Sequence, residues 1–238
     1  MRCVGLVVLT ACRLHFDDHP DVDARPHDSP DSVDAAMPCP ADAILCDDFE
    51  LGNLSRWTGT RPAATSVVVD SNLPHLGSFA LDSRVAPAGG NGGEAFVYLT
   101  LAPYDRLAIR VWAYLPDPIE SFQGVIYLVD LPLEQHYFEV STDIPAWTIA
   151  GDDGSTLQDY PTNVAVERAT WTCLELDLDL TAHHFQLFIA DAVALDSTLF
   201  DASPMFGTLG VGTTRANAGG FHDYVDDVVI ATSHVGCD

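Results

Sequence analysis

The stretch that decides the fold is Thr172–Leu180, TCLELDLDL, in which polar and apolar residues alternate along the chain. A period of two sends successive side chains to opposite faces of a strand, so the leucines would face a core and the carboxylates would face away from it. No segment shows a convincing helical period with caps. The pattern predicts an all-β, two-sheet antiparallel jelly-roll sandwich. Strand-like segments recur at Phe79–Leu81, Ala95–Leu101, Leu107–Leu115, Gly124–Leu131, Tyr137–Ser141, Phe185–Leu195 and Tyr224–Ala231.

The composition excludes two classes of protein. The 238 residues carry 35 acidic side chains against ten basic ones, all arginine, for a formal charge of -25. So negative a field repels phosphate backbones, which argues against a nucleic-acid partner. No apolar run approaches the roughly 20 residues of a spanning helix, which argues against an integral membrane protein but not against an anchored one. With 47% hydrophobic residues, the chain has enough apolar side chains for a full core.

The first twelve residues are predicted to be a lipoprotein signal peptide. A basic Arg2 precedes the short apolar run Val4–Leu9, and the following Leu-Thr-Ala-Cys ends at Cys12. This tetrapeptide resembles the lipobox of bacterial lipoproteins, which implies acylation of Cys12 and attachment to the membrane through lipid alone. Arg13 in the next position implies outer-membrane or surface placement in the bacterial cell envelope. The alternatives are an ordinary export signal or a start assigned too early, with no export.

Residues 13–41 are predicted to be a disordered linker, and residues 42–238 a single folded domain. Seven Asp and four Pro lie between Arg13 and Pro38, and no hydrophobic period survives there. Such a segment cannot offset its ordering entropy and repels itself into an extended spacer.

Four cysteines remain after Cys3 leaves with the signal peptide and Cys12 takes lipid. An even number in an exported chain favours two disulfides over a metal site, with three possible connectivities. We prefer the pairing that fastens both ends of the domain, namely Cys39–Cys46 and Cys173–Cys237.

Three segments carry a resemblance to a known family. Asp47–Trp57 (DDFELGNLSRW) resembles the opening strand of the concanavalin A-like lectin/glucanase superfamily, in particular its laminin-G-like domains. Trp171–Asp191 is similar to the family's late hairpin, with Ala192 where a turn glycine is expected, and Gly220–Ile230 is similar to its closing strand. The resemblance implies a jelly roll whose first and last strands are neighbours, often with a sugar ligand on a concave sheet.

Glu175, Asp177 and Asp179 are the sharpest catalytic candidates. They resemble the E-x-D-x-E strand of laminarinase-type glucanases, which implies a nucleophile, a helper and an acid/base on one sheet face. Neighbouring carboxylates on that face would lie about 6.6 Å apart along the strand, whereas a retaining glycosidase needs about 5–5.5 Å between its working pair. The short side chain of Asp179 and the late position of the strand favour a solvated acidic face instead.

A polysaccharide lyase is the other enzymatic alternative. Jelly-roll lyases use Tyr and His for proton transfer and Arg or Gln to neutralise a uronate. Gln135, His136, Tyr137 and Arg110 supply those residue types, but the net negative charge opposes an anionic polymer unless arginines cluster locally.

A binding surface is the preferred interpretation. Aromatic and arginine side chains on one face of a strand are typical of sugar-stacking or protein-binding surfaces. The alternative is that these side chains are buried under a loop or between the sheets. The predicted carbohydrate-binding groove comprises Arg110, Trp112, Tyr114, Tyr137 and Glu139, with Phe96 and Tyr98 sharing a face of their own strand.

A structural Ca²⁺ ion is the one cofactor that the sequence suggests. Pairing of the first and last strands would bring together oxygen ligands from Asp48, Glu50, Asp226 and Asp227, and clustered carboxylates suit Ca²⁺. The alternative is that they blunt a sheet edge. We therefore expect a lipid-anchored surface protein whose jelly roll binds a glycan or a surface protein without catalysis. A carbohydrate-active enzyme and a ligand-free structural envelope protein are the alternatives.

Overall fold

The computed structural model describes residues 37–62, 65–86, 93–116, 122–130, 136–143, 145–152, 156–199, 206–216 and 220–238. These residues contain no helix, and therefore none that could span a membrane. Cys12 and most of the predicted linker lie outside them. The strands are β1 Ala43–Asp47, β2 Gly59–Pro62, β3 Thr65–Asp70, β4 Ala80–Val85, β5 Gly93–Thr100, β6 Arg106–Tyr114, β7 Gln123–Asp130, β8 Tyr137–Asp143, β9 Ala146–Asp152, β10 Leu157–Ala165, β11 Trp171–Asp179, β12 His184–Ile189, β13 Ala192–Thr198, β14 Phe206–Ala216 and β15 Phe221–Ala231.

The strands form two antiparallel sheets. Sheet A has the order β13-β12-β11-β6-β15-β4-β3, with β1 also paired to β15, and sheet B has the order β10-β9-β8-β7-β14-β5-β2. The predicted all-β jelly-roll sandwich is therefore confirmed, as is the neighbouring of its first and last strands.

The core lies between the sheets and follows the alternation that the sequence shows. Leu174, Leu176 and Leu178 of β11 are buried, and the rings of Phe138 on β8 and Phe185 on β12 meet edge to face at 4.8 Å. Each such side chain contributes roughly 1.5–3 kcal/mol by leaving water. Residues next to them in the strands, such as Glu175 and Glu139, therefore lie on the outer faces of the two sheets.

The segment 185–195 is two strands rather than one. Ala190 and Asp191 both have positive φ, 48° and 63°, and join β12 to β13 in a tight turn. Two successive left-handed residues match the twist of a hairpin, and Asp tolerates this conformation better than most residues. The turn therefore forms one position earlier than Ala192, without the expected glycine.

Both predicted disulfides are present. Cys39 is bonded to Cys46, and Cys173 of β11 is bonded to Cys237. The second bond holds residues 232–238, which we call the C-terminal tail, against the outer face of sheet A. There the amides of Val235 and Gly236 donate to the two carboxylate oxygens of Glu175 at 2.6 and 2.7 Å.

Candidate functional site

A row of aromatic rings crosses the outer face of sheet B. Phe96 on β5 lies 6.2 Å from Tyr127 on β7, and Tyr127 lies 6.0 Å from Tyr137 on β8, measured between ring centroids. The strand between β5 and β7 is β14, which presents Gly210 at this level. A Cβ on Gly210 would come within 2.7 Å of the Phe96 ring, so the glycine makes room for that ring to lie across the strand. The result is a continuous aromatic row whose rings come from three strands; Phe96 is 2% exposed, whereas Tyr127 and Tyr137 are half-buried.

An open cleft of about 250 Å³ lies along one end of this row. Its walls combine aromatic rings, hydroxyl groups and one guanidinium group, the mixture that small-molecule and sugar sites use. The guanidinium belongs to Arg61, which lies 3.8 Å from the carboxylate of Glu94. The cleft is lined by Thr60, Arg61, Phe96, Tyr98, Tyr127, Val129 and Thr208.

Arg215 lies at the other end of the aromatic row. Its Nη1 donates to the hydroxyl of Tyr137 at 3.2 Å, and its guanidinium lies 5.8 Å from the centre of that ring and 5.6 Å from the ring of Phe122. Burial raises the pKa of Tyr137, and the hydrogen bond from Arg215 opposes that rise only in part. The phenol therefore keeps its proton at neutral pH.

Glu139 is fully buried beside Tyr137. Thr214 donates its hydroxyl to Oε1 at 2.7 Å, while Oε2 meets no partner among the described residues. Burial raises the pKa of Glu139 to about 7. Gly124 is needed here because a Cβ at that position would overlap the Glu139 carboxylate and the Thr214 hydroxyl.

An irregularity in β14 brings two consecutive side chains to this face. Successive residues of a regular strand point to opposite faces, yet Thr214 contacts Glu139 and Arg215 contacts Tyr137. The register of β14 against β7 shifts between Val211 and Arg215, as in a β-bulge. Bulges re-aim side chains in this way, often next to functional sites.

Of the residue types expected in a lyase, Tyr137 contacts Arg215, whereas Arg110 lies on the other sheet. His136 Nδ1 lies 2.6 Å from a carboxylate oxygen of Asp130, whose other oxygen accepts from the His136 amide. Gln135 lies outside the described residues. The arginine at this site is Arg215, which sequence reasoning missed because its place depends on the bulge in β14.

The five residues predicted to form one carbohydrate-binding groove are divided between the two outer faces. Tyr137 and Glu139 lie on sheet B, whereas β6 places Arg110, Trp112 and Tyr114 on sheet A. The alternation in the sequence shows which residues share one face of a strand, but it does not show which sheet that strand joins. The predicted single groove therefore does not form.

Of the three residues on sheet A, Arg110 is buried and Trp112 and Tyr114 are half-buried. Arg110 is 2% exposed and donates to the backbone carbonyls of Gly236 and Asp227 at 3.3 and 3.2 Å. Burial lowers the pKa of Arg110. The ring of Trp112 stacks on His75 at 3.9 Å, and that of Tyr114 lies 5.6 Å from Trp171. The tail packs on Arg110 and the loop 71–79 packs on Trp112, whereas Tyr114 contacts its cross-strand neighbour Trp171 on β11.

The carboxylates predicted to bind Ca²⁺ are occupied by N–H donors. Glu50 Oε1 accepts from the amides of Ser78 and Phe79 at 2.7 and 2.8 Å. Asp226 accepts from the amide of His75 at 2.9 Å, and burial raises its pKa to about 8.

The remaining two predicted ligands make contacts of the same kind. Asp227 Oδ2 lies 2.6 Å from His75 Nδ1, and Asp48 accepts from the Glu50 amide at 3.3 Å. Within the described residues, three ligand groups come within 4.8 Å of one another only at Glu175, Asp177 and His234. The four predicted calcium ligands are therefore not brought together as an ion site. Asp226 and Asp227 hold the loop 71–79 against β15, and Glu50 binds the end of the same loop.

Of the three candidate catalytic carboxylates on β11, Glu175 and Asp177 approach each other within 4.8 Å, but Asp179 does not join them. Asp179 lies 2.6 Å from Arg106 and accepts from the Ala182 amide at 2.8 Å. Glu175 is fully buried beneath the C-terminal tail, and burial raises its pKa. The three carboxylates therefore do not form a glucanase triad. Nor is this face simply solvated, because the C-terminal tail covers the end that carries Glu175.

Solved structures of carbohydrate-related proteins have similar folds. The cellulose-induced protein Cip1 matches with a TM-score of 0.69 at 17% identity, covering 82% of this chain and all of Cip1. An endo-β-1,4-glucuronan lyase from the fungus Trichoderma reesei matches with a TM-score of 0.65 at 13% identity, covering 80% of this chain and 96% of the lyase.

A receptor-binding protein has the same architecture. The binding domain of botulinum neurotoxin DC, solved in complex with rat synaptotagmin II, matches with a TM-score of 0.58 at 10% identity, covering 82% of this chain and 49% of the other. No protein-family profile and no curated protein matches this chain in sequence. The likeness therefore establishes a shared jelly-roll fold.

Proposed function

We propose that this chain binds a polysaccharide along the outer face of sheet B. The observation that carries the proposal is the aromatic row that ends at Arg215, in which the half-buried rings of Tyr127 and Tyr137 can meet a ligand and the buried ring of Phe96 supports Tyr127 from the side. Aromatic faces stack on the apolar faces of sugar rings while hydroxyl and guanidinium groups bond to their edges. The 6.0–6.2 Å spacing of the rings along the row suits an extended ligand rather than a single sugar.

Arginines at both ends of the row favour a ligand that contains uronic acid. Arg61 pairs in register with Phe96, and Arg215 lies against Tyr137. Guanidinium groups bind carboxylates in a planar, two-pronged geometry. Such local positive charge is needed to hold an anionic polymer on a chain whose net charge is -25. The fold likeness to a glucuronan lyase supports the inclusion of uronates among the ligands to be tested.

The test compares binding of β-1,4-glucuronan and of cellulose oligosaccharides by isothermal titration calorimetry. Tyr127→Ala removes the middle ring of the row, and we expect a loss of about 2 kcal/mol, or roughly 30-fold in Kd, as for a central interface anchor. Trp112→Ala is the matched control, because it removes an aromatic side chain from the opposite face of the sandwich. Retention of affinity in Tyr127→Ala with loss in Trp112→Ala would move the site to sheet A.

A lyase acting on the same ligand is the second candidate, and the contact between Arg215 and Tyr137 favours it. In β-elimination a base removes the proton next to the uronate carboxylate, the bond to the leaving oxygen breaks, and an acid protonates that oxygen. Tyr137 keeps its proton and lies at the surface of the aromatic row, so it is suited to the acid step. Arg215 would neutralise the uronate that develops charge.

Turnover separates the two candidates. A lyase would release products with a new carbon–carbon double bond, which ultraviolet absorbance detects. Tyr137→Phe would abolish that signal and leave glucuronan affinity within a few-fold, because only the hydroxyl is removed. If the unsubstituted protein binds glucuronan but releases no unsaturated product, the result supports the non-catalytic function.

We also propose that the chain is anchored in a bacterial envelope through an acylated Cys12, with residues 13–41 as a spacer. The support is the lipobox-like sequence before Cys12 and the Asp- and Pro-rich composition after it. Two or three acyl chains give stable anchoring, since each buried methylene contributes about 0.8 kcal/mol. The mass of the mature N-terminus tests this; a mature chain that begins anywhere other than Cys12 would contradict it.

A further inference from the structure

A polar cavity of about 280 Å³ lies on the outer face of sheet A, on the opposite side of the sandwich from the aromatic row. It is bounded by β6, β11, β12 and the C-terminal tail. Five of its eleven lining side chains are ionisable, namely Arg106, Asp177, Asp179, His184 and His234. Nothing in the proposed polysaccharide site makes use of this cavity.

Two of the groups that line it, Asp177 and His234, have the spacing of metal ligands together with the buried Glu175. His234 Nδ1 lies 3.2 Å from Glu175 Oε1 and 2.9 Å from Asp177 Oδ2, and the three ligand atoms all lie within 4.8 Å of one another. In a tetrahedral zinc site with bonds of 2.0–2.1 Å, ligand atoms are separated by about 3.4 Å. The two distances to His234 Nδ1 are therefore within about 0.5 Å of the zinc value, and the two carboxylates are no more than 4.8 Å apart.

The cluster places two carboxylates against one imidazole nitrogen. Glu175 is fully buried, Asp177 points from the same face of β11, and one imidazole nitrogen faces both carboxylates. That nitrogen carries a single proton, which it cannot give fully to two acceptors. Oδ1 of Asp177 is buried and accepts no hydrogen bond from the described residues. A divalent cation would satisfy both carboxylates and this oxygen at once.

The ligands are held by their surroundings before any ion binds. The amides of Val235 and Gly236 fix both oxygens of Glu175, and the Cys173–Cys237 disulfide fastens the tail three residues beyond His234. Hydrogen bonds to ligating carboxylates orient them in this way in known metal sites.

We propose that Glu175, Asp177 and His234 form a binding site for a divalent transition-metal ion, zinc by its ligand set. One imidazole nitrogen with carboxylate oxygens suits Zn²⁺, whereas Ca²⁺ and Mg²⁺ prefer oxygen ligands alone. Three protein ligands leave a further coordination position, and the cavity beside Asp177 and His234 gives water or a small anion access to it. The ion would also tie the C-terminal tail to β11, in parallel with the disulfide.

The test measures zinc retained by the full-length protein. The protein is stripped with EDTA, given one equivalent of ZnCl₂, desalted and analysed for metal, and its thermal midpoint is recorded with Zn²⁺, Ca²⁺ or EDTA. We expect about one zinc per chain and a rise in the midpoint with Zn²⁺ that Ca²⁺ does not reproduce. His234→Ala should lose that zinc and the rise.

His184→Ala is the matched control. His184 lines the same cavity but bonds to Asp196 at 2.8 Å, so its loss should leave zinc retention unchanged. Asp177→Asn is a second ligand variant, and it should lose zinc as His234→Ala does, which covers the case of a poorly folded His234→Ala. Zinc retention by both ligand variants equal to that of the unsubstituted protein, or no retention by the unsubstituted protein, would overturn the proposal.

Discussion

Replacement of Glu139 by glutamine should change how stability depends on pH. Folding raises the pKa of this carboxyl from 4.5 to about 7, so the folded state holds the proton more tightly than the unfolded state does. The stabilisation is complete below pH 4.5 and is lost as the pH rises through 7. At about 1.4 kcal/mol per pH unit, this interval corresponds to a loss of about 3 kcal/mol.

Glutamine has nearly the same shape, can accept the Thr214 hydroxyl and does not titrate. Relative to the original protein, Glu139→Gln should therefore gain about 3 kcal/mol of unfolding free energy between pH 4.5 and pH 8. Asp223 and Asp226, whose pKa values burial raises to about 8, titrate in both proteins and cancel from the difference.

Urea unfolding at half-unit pH steps measures the difference directly. Glu94→Gln is the control for the chemical change, because it replaces another carboxyl of sheet B that is partly exposed, and it should not reproduce the gain. A constant offset between Glu139→Gln and the original protein across this pH range would refute the reasoning. It would mean that Glu139 reaches solvent or a counter-charge when it ionises.

Two further outcomes follow from the packing and the disulfides. Gly124→Ala should lower the free energy of unfolding, measured in urea, by roughly 1–3 kcal/mol, because the new methyl overlaps the Glu139 carboxylate. An effect below about 0.5 kcal/mol would mean that β7 or β8 shifts freely to make room. Replacing both Cys173 and Cys237 by serine should lower the free energy of unfolding by about 4 kcal/mol, and replacing both Cys39 and Cys46 should lower it by about 2 kcal/mol. The difference is expected because the disulfides close loops with sequence separations of 64 and 7. The reverse order in urea unfolding would contradict the loop-entropy account.

The alternation of leucine with acidic residues was enough to place β11 and its buried face, because burial on one side of a strand follows directly from a period of two. The same argument fails for β14. Its sequence, FGTLGVGTTRA, is rich in Gly and Thr, so it lacks the apolar alternation of a strand. Yet it lies at the centre of sheet B and supplies both Gly210 and Arg215 to the candidate site.

The partners of each outer face could not be predicted for a different reason. Glu175 is buried by amides that lie 60 and 61 residues further along the chain, and Arg110 by a carbonyl 126 residues away. Contacts at that separation depend on the order of strands in the sheets and on where the tail returns. A local pattern contains neither kind of information. The sequence therefore predicted Arg110 and Glu139 in one groove, although they lie on opposite sides of the sandwich.

The contact of Arg110 with both Met37 and Gly236 has a practical consequence for handling the protein. Gly236 belongs to the C-terminal tail on the outer face of sheet A, so a fusion tag, biotin or resin joined after Asp238 attaches on the side away from the aromatic row. Immobilised in that orientation, the protein would leave Tyr127 and Arg215 open to the mobile phase, which suits a screen of polysaccharides for the proposed ligand.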